Sequence, residues 1–240
     1  MGTPTRFTYG LATVTKQSPL GNYPLPDPFH TASTPTLDVT TYANDFFTLG
    51  TTTNDWTITG TSSTFAVTNG VGGLALITPG ATTTTTTVAA AHESFQFVSG
   101  QKFWYICRIA ASAVAGSVAF QFGLSNSTGA SPTDGIWFVK AASSTSVNLV
   151  SRVGSTSTTL ATGVATAAAG TMIDVAFYYD GTDLLVYSAD NLVARITNPT
   201  IGSSATTLTN TVMGPMFQIT PTATDTLTID YVLTAQETTR

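Results

Sequence analysis

Glu93 and Glu237 are the only glutamates in the chain, and eleven aspartates complete its supply of carboxylates. Such groups are the usual general acids and bases, and cleavage of a glycosidic bond needs two of them about 5–9.5 Å apart across it. Neither glutamate has a second carboxylate two residues away, and the aspartates fall chiefly in turn sequences. The spacing therefore predicts no catalytic pair and no enzyme activity. The single cysteine, Cys107, lies in Phe103-Trp104-Tyr105-Ile106-Cys107-Arg108-Ile109, where a thiol serves as a small apolar core group. His30 and His92 have no companion constellation that would activate it. One cysteine also excludes a disulfide framework and a multi-cysteine metal site. Asp180-Gly181-Thr182-Asp183 offers two carboxylates and several carbonyls in a turn, the donor chemistry of calcium. The same four residues are what a tight hairpin requires, and the chain has no EF-hand spacing, so neither metal nor cofactor is expected.

Sugar recognition needs an exposed aromatic ring beside amides and carboxylates. Of the three tryptophans, Trp104 sits in an apolar run and is assigned to the core. Trp56 and Trp137 are the candidate glycan contacts, Trp137 because it occupies the strand face opposite Ile136 and Phe138. Asn126-Ser127-Thr128 fits the glycosylation sequon but is read as a loop tripeptide.

These side chains must be positioned by strands. Fifty of the 240 residues are threonine, while only 9% are charged, a composition that favours pleated surfaces hydrated by hydroxyls. The 42% hydrophobic content and mean hydropathy of +0.21 argue for a folded chain. The net charge of −5 has no basic run to neutralise phosphates, so nucleic acid is excluded as a partner. No stretch of roughly 18 apolar residues is present to cross a bilayer, and no secretory leader pattern is seen, so neither a membrane partner nor export is expected.

The chain divides near residue 40. Residues 1–40 hold six of the eleven prolines, which fix φ and remove donors, so this segment is predicted to be an extended docking arm. Its spaced apolar residues, Phe7, Tyr9, Leu11, Tyr23, Leu25 and Phe29, are the anchors expected to bind a partner. Residues 41–240 read as an all-β, antiparallel sandwich. Ser117 to Leu124 alternates, with Val118, Phe120, Phe122 and Leu124 on one face. Ile173, Val175, Phe177 and Tyr179 repeat the pattern, as do Leu227, Ile229, Tyr231 and Leu233. Asp134-Gly135, Asp180-Gly181 and Ser188-Ala189-Asp190-Asn191 mark hairpins. No helical stripe of three turns exists, although residues 165–169 and 199–204 each allow one turn. The run Thr82 to Thr87 is expected to be an exposed edge strand that a second copy covers.

Several phrases along the chain resemble a known family. They are Thr5-Arg6-Phe7-Thr8-Tyr9-Gly10 and Leu25-Pro26-Asp27-Pro28 in the arm, then Tyr42-Ala43-Asn44-Asp45-Phe46 and Asp55-Trp56-Thr57-Ile58-Thr59. In the body they are Gly72-Gly73-Leu74-Ala75-Leu76, Glu93-Ser94-Phe95, Asp134-Gly135-Ile136, Phe177-Tyr178-Tyr179-Asp180-Gly181 and Asp230-Tyr231-Val232. Together they resemble the virion structural proteins of tailed bacteriophages, of the capsid decoration or stabilising type with a concanavalin-like jelly-roll sandwich. The resemblance implies a non-enzymatic cement protein on the capsid exterior, partnered by the major capsid protein and forming a trimer or dimer. Its alternative is a carbohydrate-binding or receptor-recognition module on a virion fibre. Sandwiches of this kind also host sugar hydrolases, but the Glu-x-Asp-x-x-Glu phrase of laminarinase-like enzymes is absent.

Overall fold

The computed structural model describes residues 39–49, 55–70, 72–80, 84–114, 116–204 and 206–238. The anchors Phe7, Tyr9, Leu11, Tyr23, Leu25 and Phe29 lie outside them. In chain order the first strands are β1 (Val39–Asn44), β2 (Trp56–Thr59), β3 (Thr64–Thr68), β4 (Leu74–Thr78), β5 (Thr86–Ala90), β6 (Phe103–Ala111) and β7 (Ala119–Ser125). There follow β8 (Gly135–Lys140), β9 (Ser146–Val153), β10 (Thr156–Thr166), β11 (Ile173–Tyr179), β12 (Leu184–Ser188) and β13 (Asn191–Ile196). The last are β14 (Ile201–Gly202), β15 (Leu208–Thr209), β16 (Gly214–Thr220) and β17 (Leu227–Glu237).

Two large antiparallel sheets form a concanavalin-like jelly-roll sandwich. Sheet A runs β13-β12-β11-β6-β17-β4-β3, with β1 also on β17, and sheet B runs β10-β9-β8-β7-β16-β5-β2. No described residue is helical, so the single turns allowed by the sequence do not form, and residues 165–166 instead end β10. The inward rows are those that alternation predicts for β7 and β11. Phe120, Phe122 and Leu124 face Val175, Phe177 and Tyr179 in one buried cluster. Phe177 sits at its centre, 5.1 Å from Tyr105 and 6.1 Å from Phe103 in stacked geometry, and 6.2 Å from both Phe97 and Phe138. Cys107 is inside this cluster, and burial pushes its thiol well above the ordinary range.

The predicted inward row of β17 is corrected. Its pairing with β6 slips between Ile229 and Tyr231, a bulge that places Asp230 outside the ladder. One extra residue inverts the faces that follow it. Leu227 and Ile229 point into the core, then Val232 does, while Tyr231 and Leu233 point outward. The threonine run is also corrected. Thr86 and Thr87 are 0% exposed because β5 lies inside sheet B, flanked by β16 and β2.

Turn chemistry sets several hairpins. Ala189 and Asp190 have φ of 44° and 67°, and Gly154 and Ser155 have φ of 55° and 69°, the paired positive values of the turn that matches strand twist. Gly181, at φ 99°, turns β11 into β12. Asp134-Gly135 is no tight turn: nine residues, 126–134, join β7 to β8.

Replacing Phe177 with Ala empties the centre of the ring stack. It should cost about 3–5 kcal/mol in chemical denaturation, whereas Phe47→Ala, at a residue 71% exposed, should change stability little.

Candidate functional site

A cavity of about 520 Å³ opens where edge strands β1 and β2 of the two sheets meet the segment 91–95. Its apolar walls are Tyr42, Trp56 and Phe95, and its polar groups include Asn44, Asp55, His92 and Ser94. Tyr42 and Asn44 alternate onto the inner side of β1, opposite Trp56 at the start of β2. Trp56 is fixed by four rings: Tyr42 at 6.3 Å, Phe46 at 6.1 Å, Phe65 at 5.4 Å and Phe217 at 5.9 Å. The Asn44 side chain donates to the Tyr42 hydroxyl at 3.2 Å and accepts from the Phe46 N–H at 2.8 Å. That second bond holds Phe46 in a left-handed conformation, φ 49°, with its ring in the core.

The segment 91–95 is tied down on both sides. Ala91 N–H donates to the Asp55 carbonyl at 3.0 Å, and Phe95 exchanges main-chain bonds of 3.0 and 2.7 Å with Met213. Gly214 lets it approach, since a Cβ there would lie 2.9 Å from the His92 carbonyl oxygen. Asp55, His92 and Ser94 remain exposed at the mouth. Glu93 sits between two wall residues, and desolvation raises its carboxyl above the usual range.

Of the two predicted glycan contacts, Trp56 is 1% exposed, with its edge on the cavity wall. Trp137 is 4% exposed on the outer side of sheet B. There it pairs with Gly123 and Val150 and packs on Ala89 and Met216. A Cβ on Gly135 would lie 2.3 Å from its ring, so glycine makes the space. Segment 126–133 lies against the same side, its Thr128 and Ala130 carbonyls accepting from Thr59 and Gln218 at 2.9 and 3.0 Å. Neither tryptophan is thus the open platform that the sequence reading expects.

The carboxylates of the Asp180 turn have internal roles. Asp180 accepts from Thr182 and Asp183 N–H groups at 2.8 and 2.7 Å. Asp183 accepts from Asn198 N–H at 2.8 Å and from Arg195 at 2.7 Å, and these bonds hold its carboxyl below the usual range. Sequence reading missed a group on the outer side of sheet A. Tyr231 donates to Asp174 at 2.9 Å, and Arg108 pairs with Asp230 at 3.0 Å. The bulge brings these together, and no linear spacing announces it. Among the described residues no three metal-ligating side chains cluster.

No protein-family model matches the chain, and no curated protein matches it in sequence. Solved structures do. An endo-1,3-β-glucanase from Streptomyces sioyaensis is 12% identical with a TM-score of 0.60, over 87% of this chain and all of that one. A Bacillus licheniformis β-glucanase is 12% identical with a TM-score of 0.56, over 83% and 98%. The exoplasmic domain of VIP36, bound to Ca²⁺ and Man3GlcNAc, is 11% identical with a TM-score of 0.54, over 77% and 84%. At such identity the likeness defines the fold class, the concanavalin-like jelly roll. It also corrects the expectation of no enzyme activity, because similar structures include glucanases and a glycosidic hydrolase. That expectation looked for one linear carboxylate spacing, whereas a sandwich assembles side chains across strands and loops.

Burial raises the phenol pKa of Tyr42, Tyr105, Tyr179, Tyr187 and Tyr231, and pushes Tyr178 up to about 12. A folded pKa above the unfolded value, near 10, stabilises the fold fully below that pH and progressively less above it. Stability should therefore fall as pH rises past about 10, with tyrosinate absorbance appearing together with loss of near-ultraviolet dichroism. Early, non-cooperative titration of all six would contradict their burial.

Proposed function

We propose that the chain is a carbohydrate-binding sandwich whose ligand enters the cavity between β1 and β2. The observation that carries this reading is the composition of that cavity: aromatic walls from Tyr42, Trp56 and Phe95 beside the amide of Asn44, the carboxylate of Asp55 and the imidazole of His92. A sugar presents apolar C–H faces and directional hydroxyls, and such a wall answers both. The volume of about 520 Å³ falls within the roughly 300–1,000 Å³ of small-ligand pockets, room for the end of an oligosaccharide. Further support comes from similar folds whose names give glucans as substrates or Man3GlcNAc as ligand.

Of the two settings implied by the resemblance to virion proteins, this reading favours the receptor-recognition module. Capsid decoration draws on short strand phrases and on an arm outside the described residues, and the cavity adds nothing to it.

Calorimetry of the full chain with β-1,3-glucan, mixed-linkage β-glucan and mannose oligosaccharides tests the proposal, with reducing ends assayed in parallel. One of these should bind, and Asp55→Ala and His92→Ala, both at exposed residues, should each weaken binding about tenfold, or about 1.4 kcal/mol. Binding undiminished in both variants would place the site elsewhere, and no binding would end the reading. Release of reducing ends that Glu93→Gln abolishes would make the cavity a hydrolytic site.

A further inference from the structure

Phe46 and Phe47 are neighbours in sequence with opposite environments. The Phe46 ring is 0% exposed and meets Trp56, Phe65 and Phe217 in the core, whereas Phe47 is 71% exposed. Every other described phenylalanine, tyrosine and tryptophan is buried or half-buried. A single exposed apolar side chain is ordinary on a protein surface. Two features set this one apart. Its backbone is braced: the left-handed Phe46 is held by the Asn44 side chain and by its own buried ring, and Gly73, at φ 93°, lies so close that a Cβ there would be 2.9 Å from the Phe47 nitrogen. The ring also stands at the rim of the cavity. Residues 40–44 line that cavity and so do Thr48 and Leu49, and Asp45-Phe46-Phe47 joins these two stretches of wall. Asp45 and Thr48, both exposed, flank the pair of phenylalanines with groups that bond hydroxyls.

We propose, on the carbohydrate-binding reading of that cavity, that Phe47 is a second, outer subsite and that the ligand is a chain of sugars instead of a single unit. The end of the chain enters the cavity, and the unit that follows leaves over the rim with an apolar C–H face on the Phe47 ring. Stacking is strongest on a ring already in place, because a side chain that must be ordered on binding gives back part of what the contact supplies. Phenylalanine has two χ angles, and here it stands on a backbone held from both sides, so little freedom is left to lose. The walls of the cavity, with Asn44, Asp55 and His92, then select the end of the chain. Phe47 sets the length at which affinity stops rising.

Calorimetry of the full chain with the disaccharides and hexasaccharides of β-1,3-glucan, mixed-linkage β-glucan and mannose tests this. A hexasaccharide should bind more tightly than its disaccharide. Phe47→Ala should weaken the hexasaccharide about tenfold, or about 1.4 kcal/mol, and leave the disaccharide unchanged, whereas Asp55→Ala should weaken both. Equal hexasaccharide affinity in Phe47→Ala and the unaltered chain would overturn the outer subsite and leave the cavity reading standing. Equal losses at both lengths would overturn it too, by making Phe47 part of the cavity. If neither length binds the unaltered chain, the cavity reading fails and the subsite fails with it. A second variant separates stacking from any effect on folding: in Phe47→Trp, bound hexasaccharide should shield the introduced indole from acrylamide quenching, and bound disaccharide should not. An indole left open to acrylamide by bound hexasaccharide would refute the stacking.

Discussion

The pairing of β17 with β6 is the constraint on which the rest of the sandwich depends. β6 occupies one edge of β17 along almost its whole length, from Leu227 opposite Ala111 to Gln236 opposite Phe103. The other edge is shared: β4 takes residues 227–229, and β1 takes residues 232–237. The change of partner coincides with the bulge at Asp230. Beyond it, Val232 and Thr234 turn inward while Leu233 and Ala235 turn outward, which creates the apolar belt on the far side. The same break admits β1, whose inner side carries Tyr42 and Asn44 to the cavity wall. The outward apolar row and the cavity wall thus both descend from one extra residue in one ladder.

The low charge content has a structural counterpart in hydroxyl pairing. Thr86 meets Ser63 at 2.7 Å, Thr85 meets Thr220 at 2.8 Å, and the Gln218 amide donates to Thr87 at 2.7 Å. A buried hydroxyl with a partner removes the desolvation cost that an unpaired one carries. Threonine therefore serves on both sides of β5, as a β-branched packing group and as a neutral link between strands and loops. Lys140, one of four buried charged residues among those described, with Asp134, Asp183 and Asp225, shows the cost of charge: its ammonium donates to the Val118 carbonyl, and burial lowers its pKa.

Much of the fold was legible because period-two alternation is uninterrupted in β7 and β11 and because Asp180-Gly181 sits where a hairpin closes. What alternation does not encode is an inserted residue, so β17 was read with one face too many. Nor does it say which of two buried faces a side chain occupies. Trp104 and Tyr105 are equally buried, yet only Tyr105 belongs to the space between the sheets. Thr86 and Thr87 misled because threonine composition signals a strand without signalling its place in the sheet. The cavity was half visible: Trp56 was singled out, but Asn44, His92 and Ser94 reach it through the meeting of two edge strands and a loop, long-range contacts that no local pattern carries.

The distinction between binding and hydrolysis in such a cavity turns on carboxylates. A binding site needs one carboxylate or amide to orient hydroxyls, and in the proposed site Asp55 and Asn44, both lining the cavity, would supply them. A hydrolytic site needs a second carboxyl kept protonated to act as an acid while its partner stays ionised. Glu93 stands between His92 and Ser94 on the wall segment, and desolvation moves its pKa in the direction that an acid requires. Asp55 leaves the same mouth from the start of β2, tied to that segment through the bond from Ala91. The two acids thus flank one ladder, Asp55 just before β2 and Glu93 just after β5, whose pairing runs from Trp56 opposite Ala90 to Thr59 opposite Thr87, so that whether both can reach one bound sugar, and not their linear spacing, distinguishes binding from hydrolysis.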